Sequence, residues 1–319
     1  MELRQLRYFV AIAEHGTFSK AAEKVFIAQS ALSHQLAQLE SELGARLLHR
    51  SHRGVELTEP GRIFLAHAIS ILRQTEDART SVHSSSAELS GKVVFGVPHS
   101  VSNALALPLL QAVRRQFPKV ELELTEELTG NLIRQLRIGQ INLAILFDDG
   151  QLSEFAYKPI LTERLCLIAP AEPNRRRSPA SISLKKALSL PLILPADPHG
   201  VRPIIEAAAR QSGYAPPNVI ADISSISILR TTLLAGLGQT LLPVMPLKRE
   251  LEAGLLTAVP VVSPALARVV AICASKQLPS SSAALAVSRL TVLLIRELCA
   301  NHGWLDATPI LHDNAHLSI

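Results

Sequence analysis

The sequence predicts an α+β protein in which a helical N-terminal region precedes a longer region of alternating strands and helices. Three observations support this prediction. Apolar residues recur every three or four positions before Gly91, which is typical of helices. After Gly91, short apolar runs suited to strands alternate with helical patterns. The chain of 319 residues is also long enough for two or three domains, each with its own core.

The N-terminal region begins with one helical pattern and continues with two shorter ones. The first pattern starts at Leu3 and stops at Gly16, a residue that commonly ends helices. The next two, within residues 19–40, are separated by Phe26-Ile27-Ala28, which is too short for antiparallel helices. Two helices that cross over a small alanine-rich contact are typical of a helix-turn-helix, which presents its second helix to the DNA major groove. The alternative is a generic helical pair in an all-α core, and the flanking residues favour DNA binding.

A basic hairpin is predicted after the helix pair. Residues 47–58 read LLHRSHRGVELT and indicate two short strands that turn near Arg53, as in a winged helix-turn-helix. Between Arg46 and Arg53 the chain contains three arginines, two histidines and no acid. Thr58 can cap a following helix, with Pro60 in its first turn.

That helix is expected to run from Gly61 to about Ser86. Its apolar residues alternate steps of four and three, the spacing of a helix that pairs with a copy of itself. The alternative is a helix packed on its own domain; the narrow seam favours the dimer. The seam comprises Phe64, Ala68, Ile71, Thr75, Ala78 and Val82. A serine-rich stretch up to Gly91 marks a hinge.

The region after Gly91 predicts two small α/β lobes with parallel sheets and a cleft between them. Strands are expected at 92–97, 120–125, 143–147, 165–169, 192–194, 219–221 and 269–275. Helices are expected at 105–117, 128–138, 201–211, 226–237 and 283–299. The residues from His302 onwards lack periodicity and are expected to form a loose tail whose histidines are solvated.

Composition restricts the function only weakly. A net charge of +5 permits a polyanionic partner without requiring one. Cys166, Cys273 and Cys299 show no paired spacing and are expected to be reduced residues of a cytoplasmic protein. No apolar run reaches the ~18–20 residues that cross a bilayer, so no membrane association is expected. We find no nucleophile elbow, metal-ligand cluster or phosphate loop, and therefore predict no catalytic residue, metal or cofactor, and no enzyme activity.

At this point the chain resembles the LysR-type transcriptional regulators over nearly its whole length. The motifs that carry the resemblance are F-x-x-A-A at Phe18–Ala22, Q-S-A-L-S at Gln29–Ser33, L-L-H-R at Leu47–Arg50 and L-T-E-P-G at Leu57–Gly61. Ile27-Ala28-Gln29 and the segment 198–202 resemble the branch that contains the nitrogen assimilation control regulator. The C-terminal region resembles the periplasmic-binding-protein-like effector domain of this family.

The resemblance implies that the second helix of the pair, from Gln29 to about Glu42, reads DNA. Gln29, Ser33 and His34 are the candidates for base contacts, and Ser30 lies at the helix start. Many family members have proline where this chain has Ser30, and arginine or glutamine where it has His34, so the operator preference can differ. Arg50 and Arg53 on the hairpin are expected to contact phosphate or the minor groove, the alternative being a solvated loop.

Effector contacts are expected where strand ends meet helix starts, because helix N-termini favour anions. By resemblance, the candidates are Ser100, Thr129, Phe147, His199 and Arg202. For the serine and the threonine, helix capping is the alternative role. Arg202 lies near a helix start, where a cation is unfavourable unless it pairs with an acid. Glu206, four residues further on, is the alternative partner for it.

The sequence therefore predicts a transcriptional regulator that binds a small, anionic effector and alters promoter binding or bending. The alternatives are a cytoplasmic small-molecule-binding protein and an enzyme with a DNA-binding appendage. Expected partners are double-stranded operator DNA, a small organic anion, RNA polymerase and further copies of the chain in a homodimer or homotetramer. The expected segments are a DNA-binding domain at 1–60, a dimerisation helix and hinge at 61–91, an effector domain at 92–302 (first lobe about 92–161 and 267–302, second lobe about 162–266) and a tail at 303–319.

Overall fold

The computed structural model describes residues 1–51, 54–83, 89–150, 152–171, 179–196 and 200–310, and the side chains of residues 50, 51 and 80–83 also lie outside the description. Contacts divide the chain into two compact units. The N-terminal unit comprises residues 1–87 with 137–140, and the C-terminal unit comprises residues 88–136 with 141–319.

The N-terminal unit contains the predicted helix pair and the hairpin. Its elements are α1 (Leu3–His15), α2 (Phe18–Lys24), α3 (Gln29–Leu43), β1 (Leu48–Ser51), β2 (Gly54–Leu57) and α4 (Glu59–His83). The strands β1 and β2 pair in an antiparallel hairpin, the wing, with Leu48 opposite Leu57. Gly16 ends α1 at a positive φ of 68°, and Thr17 then caps α2, so these two residues place the second helix.

One apolar core holds these helices together. α1 contributes Leu6, Phe9 and Ile12, whose spacing of three residues places them on one face of the helix. α2 contributes the small side chains Ala21 and Ala22, which allow the neighbouring helices to approach closely. α3 adds the buried leucines Leu32, Leu36 and Leu39. The predicted apolar face of the recognition helix is therefore confirmed.

The start of α4 is fixed by Thr58, as the sequence predicts. Its Oγ1 accepts a hydrogen bond from the N–H of Gly61 at 2.9 Å and donates one to the carbonyl of Arg46 at 2.7 Å. A Cβ at Gly61 would lie only 2.0 Å from the carbonyl oxygen of Leu47. Only glycine fits here, because the backbone of Leu47, just before the wing, passes directly over the first turn of α4.

Part of the seam predicted on α4 packs within the chain. The ring of Phe64 lies 5.4 Å from that of Phe9 on α1, measured between centroids. Ala68 is fully buried, and Ile71 packs against the same core. The alternative reading, a helix packed on its own domain, therefore applies to these three residues.

The C-terminal unit has strands and helices arranged in two lobes. Its first part comprises β3 (Ser90–Pro98), α5 (His99–Gln116), β4 (Lys119–Glu127), α6 (Thr129–Arg137), β5 (Leu143–Asp148) and β6 (Phe155–Arg164). The middle part comprises β7 (Cys166–Pro170), β8 (Ile182–Ser183), α7 (Leu184–Leu188), β9 (Leu192–Leu194), α8 (Arg202–Gln211), β10 (Val219–Asp222), α9 (Ile226–Leu234), β11 (Thr240–Leu242), α10 (Lys248–Glu252) and β12 (Leu256–Val262). The last part comprises β13 (Ala267–Ser275), α11 (Ser282–Ala300) and β14 (Ala307–Pro309).

The sheets are mixed, not wholly parallel as the alternation of strands and helices suggested. In the first lobe the described strands follow the order β14-β6-β13-β5-β3-β4. β3 is parallel to both β4 and β5, whereas β13 runs antiparallel to β5 and β6. The second lobe has the order β11-β7-β12-β8, with a separate parallel pair of β9 and β10. The chain leaves the first sheet after β6 and returns to it at β13.

Each lobe has its own core. In β3, Val93, Phe95 and Val97 face one core of the first lobe, while Val94 faces a second core on the other side of the sheet. This alternation shows that helices cover both faces of that sheet. The second lobe buries a separate apolar cluster that includes Leu167, Leu192 and Leu241.

The predicted loose tail is wrong for residues 303–310. Trp304 is 1% exposed and belongs to the core of the first lobe. β14 then adds an edge strand beside β6. These residues are held by contacts with distant strands, which a local pattern does not reveal. His312 and His316 lie outside the described residues.

Candidate functional site: recognition helix and cavity

The connection between α2 and α3 leaves the start of α3 open. The N–H of Ile27 donates to the carbonyl of Ala22 at 3.1 Å, which closes the turn. Ala28, at the N-cap of α3, has no side chain that could cap the helix. The N–H groups and the positive dipole end of this 15-residue helix therefore face outwards. Such an end can bind a phosphate group.

The polar residues of the first turns of α3 lie opposite its buried leucines. Gln29, Ser30 and His34 are exposed, and Ser33 is partly buried. The hydroxyl of Ser19 donates to Oε1 of Gln29 at 3.2 Å. This bond orients the glutamine amide, which can bond the edge of an adenine in bidentate fashion.

A carboxylate at the far end of α3 attaches the wing to it. Oε1 of Glu40 accepts hydrogen bonds from the N–H groups of Leu47 at 2.7 Å and Leu48 at 3.2 Å. The wing is also joined to the end of α1, because the N–H of Val55 donates to the carbonyl of Gly16 at 2.8 Å. Helix and wing therefore form one rigid surface.

Phe26, in the connection before α3, combines two unfavourable properties. Its φ is 57°, in the left-handed region that side chains other than glycine and asparagine rarely adopt. The side chain is also 92% exposed. No other large hydrophobic side chain in the described residues is this exposed.

A cavity lies in the C-terminal unit at the carboxyl ends of the parallel strands β3, β4 and β5. From the first lobe it is lined by Pro98–Ser100, Glu127–Thr129 and Phe147. These residues end strands and open the helices α5 and α6, so two helix N-termini meet at one place. In open α/β sheets, ligands bind at this position, where neighbouring strands connect in opposite directions.

The opposite wall comes from the second lobe. It is formed by Pro195, Gly200, Val201, Ser224, Ile226 and Leu242. The cavity is narrow, with a volume of about 50 Å³. Its size suits a small ligand, and apolar side chains form most of the second wall.

Arg268 on β13 also lines the cavity and is almost fully buried. Its Nε donates to Oε2 of Glu163 at 2.7 Å. The guanidinium carbon lies 3.9 Å from the centroid of the Phe147 ring. A buried charge is stable only when it is paired, and this one has both a carboxylate and an aromatic face beside it.

The comparisons with known proteins agree with this architecture. Residues 3–62 match the bacterial regulatory helix-turn-helix family of the LysR type, and residues 86–292 match the LysR substrate binding domain. The chain belongs to the LysR family. It is a LysR-type transcriptional regulator with a helix-turn-helix DNA-binding domain and an effector-binding domain.

Relatives of this LysR-type regulator are themselves described as regulators. The nitrogen assimilation regulatory protein nac of Klebsiella aerogenes is 36% identical over 244 residues, which cover 76% of this chain and 78% of the relative. Full-length OxyR from Pseudomonas aeruginosa, solved as a cysteine-to-aspartate variant, matches with a TM-score of 0.70 at 27% identity and covers 93% of this chain and 98% of OxyR. Full-length CbnR in complex with its target DNA matches in fold, with a TM-score of 0.65 at 21% identity, covering 93% of this chain and 99% of CbnR.

The structure describes four of the six predicted DNA-binding residues in full. Gln29, Ser30, Ser33 and His34 lie together on one side of α3. Arg50 is on β1, but its side chain is outside the description. Arg53 lies outside the described residues altogether.

Of the predicted effector residues, Ser100, Thr129 and Phe147 line the cavity. His199 lies outside the described residues. Arg202 is not among the described residues that line the cavity. Its Nε donates to Glu206 at 2.5 Å and its Nη1 to Asp222 at 2.8 Å.

The ion pairs of Arg202 have a clear electrostatic effect. The hydrogen bond that Arg202 donates to Glu206, supported by the one to Asp222, raises the pKa of the Arg202 guanidinium. Its charge is thus balanced within the second lobe. Glu206, which the sequence offered as the alternative partner of this arginine, is one of the two partners found.

Sequence reasoning missed one residue that lines the cavity, two buried residues in the hydrogen-bonded cluster behind it, and one residue at the wing. Arg268, Glu163 and Trp304 form a buried polar cluster, and Glu40 attaches the wing. A charged residue inside an otherwise apolar strand, as in β13, is a signal that could have drawn attention to Arg268. Its pairing with Glu163 depends on strand register, which a single sequence does not reveal.

The cysteines of this regulator are poorly suited to redox sensing. Burial raises the pKa of the Cys166 thiol to about 12, and it also raises the pKa values of Cys273 and Cys299. A reactive cysteine requires a thiolate and access to solvent.

Among the described residues, no three histidine, cysteine or acidic side chains are grouped where they could hold a metal ion. No helix in the described part of the chain is long and apolar enough to cross a membrane.

Proposed function

We propose that this regulator reads operator DNA with the first turns of α3. Gln29, Ser33 and His34 contact base edges, and Ser30 lies beside them at the helix start. Arg50 and Arg53 on the wing contact phosphate or enter the minor groove. The exposure of the polar residues, the uncapped start of α3 and the rigid connection through Glu40 support this division of roles.

We also propose that the cavity binds a small organic anion that alters promoter binding or bending. The observation that carries this proposal is the meeting of two helix N-termini, those of α5 and α6, at one cavity that also contains the hydroxyls of Ser100 and Thr129. Helix N-termini and hydroxyl groups stabilise negative charge. Phe147 provides an apolar wall for the remainder of the ligand. His199 and Arg202 are the further candidates for contacts with the effector.

The regulator is proposed to act in the cytoplasm as a homodimer or homotetramer that contacts RNA polymerase, and to have no enzyme activity. Its relatives are described as transcriptional regulators. The seam on α4 is only partly used within the chain, since Thr75 and Ala78 lie beyond the part that packs on α1. A dimer places two recognition helices on two half-sites of a palindrome.

A gel-shift assay on the DNA upstream of its own gene tests this proposal. We expect specific binding that weakens steeply with salt, because phosphate contacts release counterions. Adding a panel of small carboxylates should change the mobility or the affinity of the complex for at least one of them. The DNA-binding half of the proposal is wrong if unrelated DNA of equal length competes equally well. The effector half is wrong if no carboxylate changes binding or raises the melting temperature.

A further inference from the structure

A buried ion pair lies beside the cavity, and its arginine, Arg268, lines the cavity wall. Glu163 on β6 lies directly opposite Arg268 on the neighbouring strand β13. Both side chains are 1% exposed, and Nη2 of Arg268 lies 2.6 Å from Oε2 of Glu163. Removing two charges from water is costly, so a pair in this position is expected to have a function or a strong set of additional contacts.

The second carboxylate oxygen is occupied by the C-terminal segment. The indole N–H of Trp304 donates to Oε1 of Glu163 at 2.7 Å, and the indole is itself almost fully buried. Both oxygens of Glu163 therefore accept hydrogen bonds, one from Trp304 and the other from Arg268. The carboxylate is fixed, and with it the position of the guanidinium.

Arg268 keeps unused hydrogen-bonding capacity. Both of its short contacts go to a single oxygen of Glu163, and its buried Nη2 makes no hydrogen bond of good geometry to the described residues. The guanidinium carbon lies over the ring of Phe147, and both residues line the cavity. A planar guanidinium with free donors binds a carboxylate in a fixed orientation.

Other charges near the cavity restrict where a ligand anion can lie. Glu127 lines the cavity, and its Oε2 accepts from Nδ2 of Asn131 at 2.9 Å. His99 is paired with Glu126 at 2.7 Å. A ligand carboxylate is repelled from the Glu127 side and is therefore directed towards Arg268.

We infer that Arg268 binds the carboxylate of the effector and that Glu163 and Trp304 are positioning residues for it. This inference rests on the proposed function of the cavity as an effector site. It names the class of ligand, a small monocarboxylate, and the one side chain that binds its charged group. It also links the cavity to the C-terminal segment, because Glu163 accepts hydrogen bonds from both Arg268 and Trp304.

Trp304 is the only tryptophan of the chain, so protein fluorescence reports on this cluster directly. The experiment titrates the full-length protein with propionate and with propionamide, which has the same shape but no charge. We expect a saturable change in tryptophan emission with propionate and none with propionamide. The same titrations are followed by calorimetry, which does not depend on the tryptophan.

Three variants make the test specific to Arg268. Arg268→Gln should weaken propionate binding about 10- to 100-fold, the range expected when a charge-assisted hydrogen bond is lost. Arg268→Gln alone leaves Glu163 charged and buried, so the double variant Glu163→Gln with Arg268→Gln is also needed. The double variant removes both charges, should stay folded and should not prefer propionate to propionamide. Arg230→Gln is the matched control and should bind propionate like the parent, since Arg230 pairs with Glu250 outside the cavity lining.

The outcomes separate this inference from the proposed function. If the folded single and double variants bind propionate within about twofold of the parent, Arg268 does not bind the carboxylate, although the cavity is still an effector site. If calorimetry detects binding but Trp304 emission stays constant, the link to the C-terminal segment is wrong. If the parent protein binds neither propionate nor any other small carboxylate, the proposed function fails and the inference fails with it.

Discussion

The carboxylate of Glu40 accepts a 2.7 Å hydrogen bond from the N–H of Leu47 and so joins the end of the recognition helix to the first strand of the wing. The same oxygen accepts from the N–H of Leu48. In this regulator, the surface that is proposed to contact DNA therefore depends on one acidic side chain that need not touch DNA.

Replacing Glu40 with alanine should lower both stability and DNA affinity. Two backbone N–H groups would lose their acceptor, and we expect a loss of about 1–3 kcal/mol in the free energy of unfolding. Affinity should fall for every operator sequence alike, because the wing loses its fixed position. Urea unfolding and gel shifts measure the two effects. Glu42→Ala is the control on the same helix. It removes only a surface ion pair with the N-terminal amine, and such pairs contribute about 0–1 kcal/mol, so its effect on stability should be smaller than that of Glu40→Ala. Equal effects of the two variants would show that Glu40 does not hold the wing.

Phe26→Asn should stabilise the protein. Asparagine adopts the left-handed backbone region more readily than phenylalanine, and an exposed ring loses little when it is removed. We expect a gain of about 0.5–1 kcal/mol in the free energy of unfolding. Thermal unfolding measures it, and Phe26→Ala is the control, because alanine removes the ring but keeps the strained φ of 57°. A gain in the alanine variant as large as in the asparagine variant would attribute the effect to the exposed ring and not to the backbone.

The thiol of Cys166 should be unreactive in the folded protein. Since burial raises its pKa to about 12, only about one thiol in ten thousand is ionised at pH 8. A thiol titration with Ellman's reagent should label Cys166 only after unfolding in guanidinium, and peroxide should leave DNA binding unchanged. Cys166→Ser is the control, because it shows which part of the labelling signal comes from the Cys166 thiol. Rapid labelling of the native protein that disappears in this variant would contradict the prediction.

How much of this protein can be predicted from its sequence depends on how local each feature is. The buried face of α3, with Leu32 and Leu36, and the cap at Thr58 follow from short-range spacing and were confirmed. β6 was missed because Phe155–Arg164 contains proline and polar residues and is held by pairing with β13, more than a hundred positions away along the chain.

The candidate site likewise contains residues that local spacing predicts and residues that only distant contacts bring together. Ser100 and Thr129 were found because they lie where a strand pattern ends and a helix pattern begins. The cluster of Arg268, Glu163 and Trp304 was missed because its members approach each other only through sheet register and the packing of the C-terminal segment. The segment around Trp304 has no periodic spacing of apolar residues, so its burial could not be predicted from the sequence.

The wing and the recognition helix should affect DNA binding differently. Arg53→Ala removes a proposed phosphate contact, so affinity should fall about equally for all sequences and the salt slope should decrease by about one. Gln29→Ala removes a proposed base contact and should change preference at one position only. Fluorescence anisotropy with operator DNA and with one mismatched duplex, over a series of salt concentrations, separates the two variants. A sequence-specific loss in Arg53→Ala would reverse the proposed roles.

Selection of binding sites from a random duplex pool tests the central claim most directly, when the parent protein is compared with Gln29→Ala. The account predicts that the parent enriches an imperfect palindrome and that the variant loses its preference at one base in each half-site, worth about 1–3 kcal/mol per contact. If the parent enriches no sequence, or if the variant enriches the same sequence with only a uniform loss of affinity, α3 does not read DNA through Gln29.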